Sequence, residues 1–238
     1  MFLFYKLPMT GEQIGQVLDT LVVTDDAVPV SGADSGFALP DAMLRLLNRV
    51  VEAAGVRNVF EFGSGRSTKA LLAAGCTVTA LEHSQSWLVQ TLASLTAEER
   101  SRLHAICQPL ELVFYQGAPF RSWVLDGDTL QRLSAAEMVL IDAPAFPPFR
   151  EHALSVSLRH SGGGLIVVDD GGIPTVRRFC ARLAGVAGTM HRESPIDHGL
   201  YFMVRGAGAG SPPRRRLVET AKAWRRYFMA GSMCPTGL

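Results

Sequence analysis

Between Val56 and His83 the chain passes through an apolar segment, two glycines, an Ala- and Leu-rich stretch and a second apolar segment that ends in an acid. Val59-Phe60-Glu61-Phe62 has the length and apolar character of a buried strand. Gly63 and Gly65 mark a sharp turn where a ligand can approach the backbone, a helix follows over about 66–74, and Thr77–Glu82 reads as a second buried strand. Glu82 comes 17 residues after Gly65, at the tip of that strand. Backbone amides at the turn, with a carboxylate placed for two ribose hydroxyls, are the layout of a nucleoside-cofactor site.

A dinucleotide fold places a third glycine where this chain has Thr68. An acid, Glu61, also precedes the glycines by two residues. A carboxylate there repels a pyrophosphate and suits a cationic amino group. Glu61-Phe62-Gly63-Ser64-Gly65 resembles the first motif of the class I S-adenosylmethionine-dependent methyltransferases, an acid followed by spaced glycines, with Arg66 in place of the last glycine. The resemblance implies that the glycine loop, with Ser64 and Ser67, faces the methionine part of S-adenosylmethionine. It implies that Glu82 binds the ribose and His83 flanks the adenine. Trp87 is a candidate to pack on the adenine or in the core.

The chain's 238 residues suit one large domain with small additions, and 47% apolar residues suffice for a substantial core. Two helices are expected at 10–23 and 39–54, with a loop between them that could lie over the cofactor. One helix is expected at 84–100, a short strand at Leu103–Cys107, and irregular chain from 108 to 136. Met138–Ile141 and Leu165–Val168 are continuous apolar runs, hence buried parallel strands. Helices are expected at about 147–160 and 174–184, and strands at about 187–193 and 199–205. This alternation predicts an α/β fold, a doubly wound Rossmann-like sheet of about seven strands. The final strand pair resembles the reversed C-terminal hairpin of class I methyltransferases. The domain boundaries read as an N-terminal segment 1–38, a methyltransferase-like domain 39–205, and a Gly/Pro linker with a basic helix over 206–238.

Ligands of open α/β sheets bind at the carboxyl ends of the strands. Four of the expected strands end in acids: Glu61, Glu82, Asp142 and the pair Asp169-Asp170. Asp142, Asp169 and Asp170 would repel one another if neighbours, and a hard divalent cation relieves such repulsion. Ile141-Asp142-Ala143 and Val168-Asp169-Asp170-Gly171 are similar to the metal-holding acids of cation-dependent O-methyltransferases of the catechol and macrocin types. That resemblance implies magnesium acting as a Lewis acid on a substrate hydroxyl. Without a metal, Asp142 is a cofactor or substrate contact and the candidate catalytic group. The lysine that serves the catechol type as base is missing from Ala143–Phe146, so the base stays unassigned among His83, His104, His152, His160, His191 and His198. His152 and His160 are expected in solvent. Arg150 is a candidate to hold an anionic substrate group or a solvated helix-start residue.

Tyr115, Phe120, Trp123, Phe146 and Phe149 could together line an apolar acceptor wall. Beyond Arg205, a Gly/Pro-rich stretch leads to Arg214, Arg215, Arg216, Lys222, Arg225 and Arg226, set against one acid, with Leu217, Ala221, Trp224 and Phe228 at helical spacing. Such a helix can lie on anionic lipid, meet a partner or a second copy, or fold back on the domain. A net charge of +1 and the lack of interleaved stacking aromatics speak against nucleic acid. Cys76, Cys107, Cys180 and Cys234 lack metal or disulfide spacing, and Cys76 and Cys107 are expected in buried strands. With no signal-peptide layout and no membrane span, the expectation is a cytoplasmic protein. The function expected is O-methylation of a small molecule by S-adenosylmethionine, with or without magnesium. The alternatives are a metal-independent N- or O-methyltransferase and a non-catalytic, methyltransferase-like binding protein.

Overall fold

The structure, a computed structural model, describes residues 9–24, 39–162, 164–187, 190–193, 199–204, 220–222, 224–225 and 227–228. Helices α1 (Gly11–Thr24) and α2 (Asp41–Ala54) come first, followed by β1 (Asn58–Phe62), α3 (Arg66–Ala73) and β2 (Thr77–Glu82). Next come α4 (Gln85–Ala93), α5 (Ala97–Ser101), β3 (Leu103–Cys107), the hairpin β4 (Glu111–Tyr115) and β5 (Ala118–Ser122), and α6 (Gly127–Ala135). Then follow β6 (Met138–Ile141), α7 (Arg150–His160) after a short 3-10 turn, β7 (Leu165–Asp169), α8 (Pro174–Ala187), β8 (Met190–Glu193) and β9 (Leu200–Val204).

Among the described residues, seven strands form one sheet in the order β3-β2-β1-β6-β7-β9-β8. The pairs β2–β3, β1–β2, β1–β6 and β6–β7 are parallel, whereas β9 is antiparallel to both β7 and β8. This is the expected doubly wound sheet with a reversed strand near one edge. Strand order reverses between β1 and β6, and ligands of open α/β sheets bind beside such a switch point.

Pleating sends alternate side chains to two cores. Val59, Met138, Leu140, Leu165 and Val167 join α1 and α2 on one face. Phe60, Phe62, Val139, Ile141, Ile166 and Val168 join residues of α6, α7 and α8 on the other. Near-continuous apolar runs therefore mark strands covered on both sides. Ile14 and Leu18 place α1 within the first core, while the loop expected over the cofactor, 25–38, lies outside the described residues.

Three expectations need correction. The helix expected at 84–100 is two helices, because Thr96 starts a new one: Thr96 N donates to Glu99 Oε2 at 2.7 Å and Glu99 N to Thr96 Oγ1 at 3.2 Å. The stretch 108–136 is not irregular but contains the β4–β5 hairpin and α6, whose Asp126 cap accepts a bond from Thr129 N at 2.8 Å. Cys107 is exposed rather than buried, because β3 is the edge strand of the sheet. Cys76 and Cys180 are buried, and Cys234 lies outside the described residues.

Candidate functional site

The end of β1 is held close to β6. Asp142 N and Ala143 N donate to Phe62 O at 3.0 and 2.8 Å, and Gly63 N donates to Leu81 O at 2.9 Å. Gly63 has φ +115°, and a Cβ there would stand 3.2 Å from Ala143 Cβ. Gly65, at φ +153°, caps α3. Both torsions lie where side-chain-bearing residues are strained, which explains glycine at both positions. The turn and the start of α3 follow directly on the carboxyl end of β1, the edge at which ligands of open α/β sheets bind.

Glu61 is fully buried on the α3 side of the sheet. Its carboxylate accepts bonds from Ser67 Oγ and, at 2.6 Å, from Thr68 Oγ1, while Gly65 N donates to Thr68 Oγ1 at 2.9 Å. Burial pushes the Glu61 carboxyl up to about 7, against the lowering effect of those two hydroxyls. Both Glu61 oxygens are held by hydroxyls of α3, and Thr68 links the acid to the Gly65 amide of the glycine loop. Ser67 is likewise 2% exposed and turned to Glu61 rather than outward.

Glu82 sits at the tip of β2, one strand away from the glycine loop. Its Oε1 accepts from His83 N at 2.7 Å and Ser84 N at 2.8 Å, and its Oε2 from Ser64 Oγ at 3.1 Å. His83 Nδ1 lies 3.0 Å from Oε1. Burial alone would raise the Glu82 carboxyl, but the His83 and Ser84 bonds outweigh it and hold the group below its ordinary value. Glu82 is therefore an anion tied to the loop through a hydroxyl, Ser64, that a ligand hydroxyl could replace. Trp87 lies over the glycine turn: its Nε1 donates to Ser64 O and stands 3.5 Å from where a Gly65 Cβ would be. The sequence placed Trp87 near adenine or in the core; its helical position two residues into α4 does not disclose this contact with the loop.

Asp142, Asp169 and Asp170 do converge, but around a guanidinium. Arg150 is 4% exposed, with Nη2 3.5 Å from Asp142 Oδ1 and Nη1 3.3 Å from Asp169 Oδ2 and 3.0 Å from Asp170 Oδ2. Arg150 Nε also donates to Pro144 O at 3.2 Å. Burial, then the neighbouring Asp169 charge, drive the Asp142 carboxyl well up, with Arg150 opposing. The divalent cation implied by the cation-dependent resemblance does not fit this donor set, because Arg150 occupies the point where the three carboxylates meet. Among the described residues no group of His, Cys, Asp or Glu is arranged to hold a metal ion. Arg150 itself is neither solvated nor free for a substrate anion, as the sequence had it, but is the counter-charge of the cluster.

The aromatic wall also resolves differently. Tyr115, Phe120 and Phe149 are buried together beneath the hairpin, with Phe146 and Tyr227 against them. Trp123 is buried in the second core against Phe62. His152 is not in solvent: its Nδ1 lies 2.9 Å from Ser122 Oγ, and its ring meets Tyr115 and Phe120. Burial, then Arg159, lower it to about 4, so it is neutral near pH 7. His160 is exposed as expected. His83 and Trp123 rings meet edge-on at 6.0 Å. The side chain of His191, all of His198, the linker, and Arg214, Arg215, Arg216, Leu217 and Arg226 lie outside the described residues.

Neither a protein-family model nor a curated protein matches the sequence. Solved structures do. A methyltransferase from Geobacter sulfurreducens superposes with a TM-score of 0.51 at 12% identity, covering 83% of this chain and 99% of its own. A protein from Staphylococcus aureus, provisionally assigned as a caffeoyl-CoA O-methyltransferase, superposes at 0.50 and 14% identity, covering 80% of this chain and 91% of its own. With the strand order and reversed β9 described above, the chain has the fold of the class I S-adenosylmethionine-dependent methyltransferases.

Proposed function

We propose that this protein transfers the methyl group of S-adenosylmethionine to a hydroxyl of a small molecule, without a divalent cation. One juxtaposition carries the reading. The glycine turn after β1, Glu82 at the end of β2, and the Asp142–Arg150 cluster at the ends of β6 and β7 share the carboxyl edge of neighbouring parallel strands. The cofactor, when bound, supplies a methyl group on an already activated sulfonium, so alignment accounts for much of the rate.

The residues of this chain do the rest. Gly63 and Gly65 let the backbone approach the ligand, and Glu82, ionised, accepts bonds from ribose hydroxyls in place of Ser64. Asp142 takes the proton of the acceptor hydroxyl as the oxygen–methyl bond forms. A carboxylate whose proton affinity is raised by burial is a better base once ionised. Arg150 offsets part of the repulsion within the Asp142–Asp169–Asp170 group and orients Asp142. Dispersed cysteines support a cytoplasmic setting, and no described helix is long and apolar enough to cross a membrane.

Calorimetric titration tests the cofactor: S-adenosylhomocysteine should bind, and tighter binding of NAD would overturn the assignment. Transfer of labelled methyl from S-adenosylmethionine to a panel of small phenols and alcohols, run in excess EDTA, tests the reaction. Activity that disappears with EDTA and returns with magnesium would refute the cation-free mechanism.

A further inference from the structure

Six large apolar side chains stand exposed among the described residues, and four of them are on one face: Leu112, Phe114, Trp224 and Phe228. Leu112 and Phe114 alternate with the inward-facing Val113 and Tyr115, so they share the outer face of β4. Residues 220–222, 224–225 and 227–228 are helical and dock beside them. Trp224 Nε1 donates to Gly117 O at 3.0 Å at the hairpin turn, its ring lies 6.1 Å from Phe114, and it stacks on Phe228 at 5.9 Å. Tyr227 turns inward onto Phe149. Docking thus uses one side of the helix and leaves Phe228 67% and Phe114 64% exposed, a continuous aromatic ridge.

Basic charge surrounds that ridge. Arg121 pairs with Leu112 in the hairpin register and is exposed on the same outer face. Lys222 and Arg225 are exposed on the helix. In sequence, 206–238 holds six basic residues against one acid, although the whole chain carries only +1, so the remainder is net negative. Exposed Trp and Phe ringed by Lys and Arg are what an anionic bilayer surface binds: the rings enter the interfacial layer and the cations meet the lipid phosphates.

We propose that the outer face of the β4–β5 hairpin and the helix docked on it bind the surface of an anionic lipid bilayer. The proposal does not depend on the methyl acceptor or on the cofactor.

The test is flotation of the full chain with vesicles of phosphatidylcholine alone or mixed in equal parts with phosphatidylglycerol. The protein should float with the mixed vesicles at least about tenfold more than with phosphatidylcholine, and added salt should release it. The paired variant Phe114→Ser, Phe228→Ser should lose about tenfold in partitioning or more, with an unchanged unfolding midpoint, since both side chains are exposed. Lys222→Glu with Arg225→Glu should abolish the preference for the mixed vesicles. Equal flotation of the paired variant, or no flotation of the natural chain with either vesicle, overturns the proposal. So does light scattering that shows a dimer dissolved by the paired variant, which would make the ridge a contact between copies.

Discussion

Arg150, at the first residue of α7, directs its Nη1 at Asp170 Oδ2 across 3.0 Å, from a position 4% exposed to solvent. The same guanidinium reaches Asp169 and Asp142, so a single side chain bridges the acids of two strand ends. Removing one partner from a buried ionic group leaves uncompensated charge. Arg150→Met should lower stability by about 3 kcal/mol, the lower end for such sites because the carboxylates keep some contact with water. Millimolar Mn²⁺ should raise the unfolding midpoint of the variant and leave that of the natural chain unchanged. A midpoint rise in the natural chain that requires Asp142 would show that a metal competes successfully with Arg150.

Variants of Glu82 and Asp142 should separate binding from chemistry. Glu82→Ala should weaken S-adenosylhomocysteine by about 1.5–3 kcal/mol, the scale of hydrogen bonds to a charged group. Asp142→Asn should abolish methyl transfer and keep most of that affinity. Calorimetry and single-turnover assays on the two variants give the comparison, and equal loss of cofactor affinity in both would remove Asp142 from the acceptor side.

The Glu61 carboxyl has a folded value of about 7 against an ordinary 4.5, so the folded chain binds a proton there that the unfolded chain has released. Its contribution to stability is complete below pH 4.5 and is lost as pH rises through 7. The loss is on the order of 3 kcal/mol. Glu61→Gln does not titrate, so the midpoint of the natural chain should fall relative to this variant between about pH 5 and 7.5. Parallel midpoint curves for the two would mean that Glu61 stays ionised when buried.

Gly63→Ala adds a Cβ at φ +115° and 3.2 Å from Ala143 Cβ. The change should cost about 1–3 kcal/mol in stability and impair S-adenosylhomocysteine binding. Gly75→Ala, at φ +86° with nothing within 4 Å of the new Cβ, carries backbone strain without the clash and serves as the control. If both variants lose the same affinity, closeness of β1 to β6 is not what the loop requires.

The sheet was legible because its strands are covered on both sides. Met138–Ile141 and Leu165–Val168 are unbroken apolar runs, and those runs set the strand positions almost to the residue. Cys107 misled for the complementary reason: an apolar residue type sits on an edge strand, and composition does not say which strand lacks a neighbour. The hairpin at 111–122 was hidden because it stands apart from the main sheet and one strand contains Pro119, so its turn residues looked like loop. Thr96 and Glu99 did carry a helix-start signal within the stretch read as one helix. In the site, the glycine turn and Glu82 were readable from spacing. Arg150 was not, since its partners lie 8, 19 and 20 residues away in sequence and meet it only once β6, β7 and α7 are packed.

The bonds around Glu61 also have a direction. Gly65 N–H donates to Thr68 Oγ1, and the Thr68 hydroxyl hydrogen goes on to Glu61. Ser67 donates to the other oxygen of the same carboxylate. All three hydrogens point toward the acid, which suits an ionised group that only accepts. A protonated Glu61 must itself donate, and the hydroxyl that receives its hydrogen, Ser67 or Thr68, has to turn its own away. The glycine loop is thus polarised from backbone amide to buried carboxyl. A Thr68→Ser exchange preserves that order, whereas Thr68→Val keeps the shape and severs it.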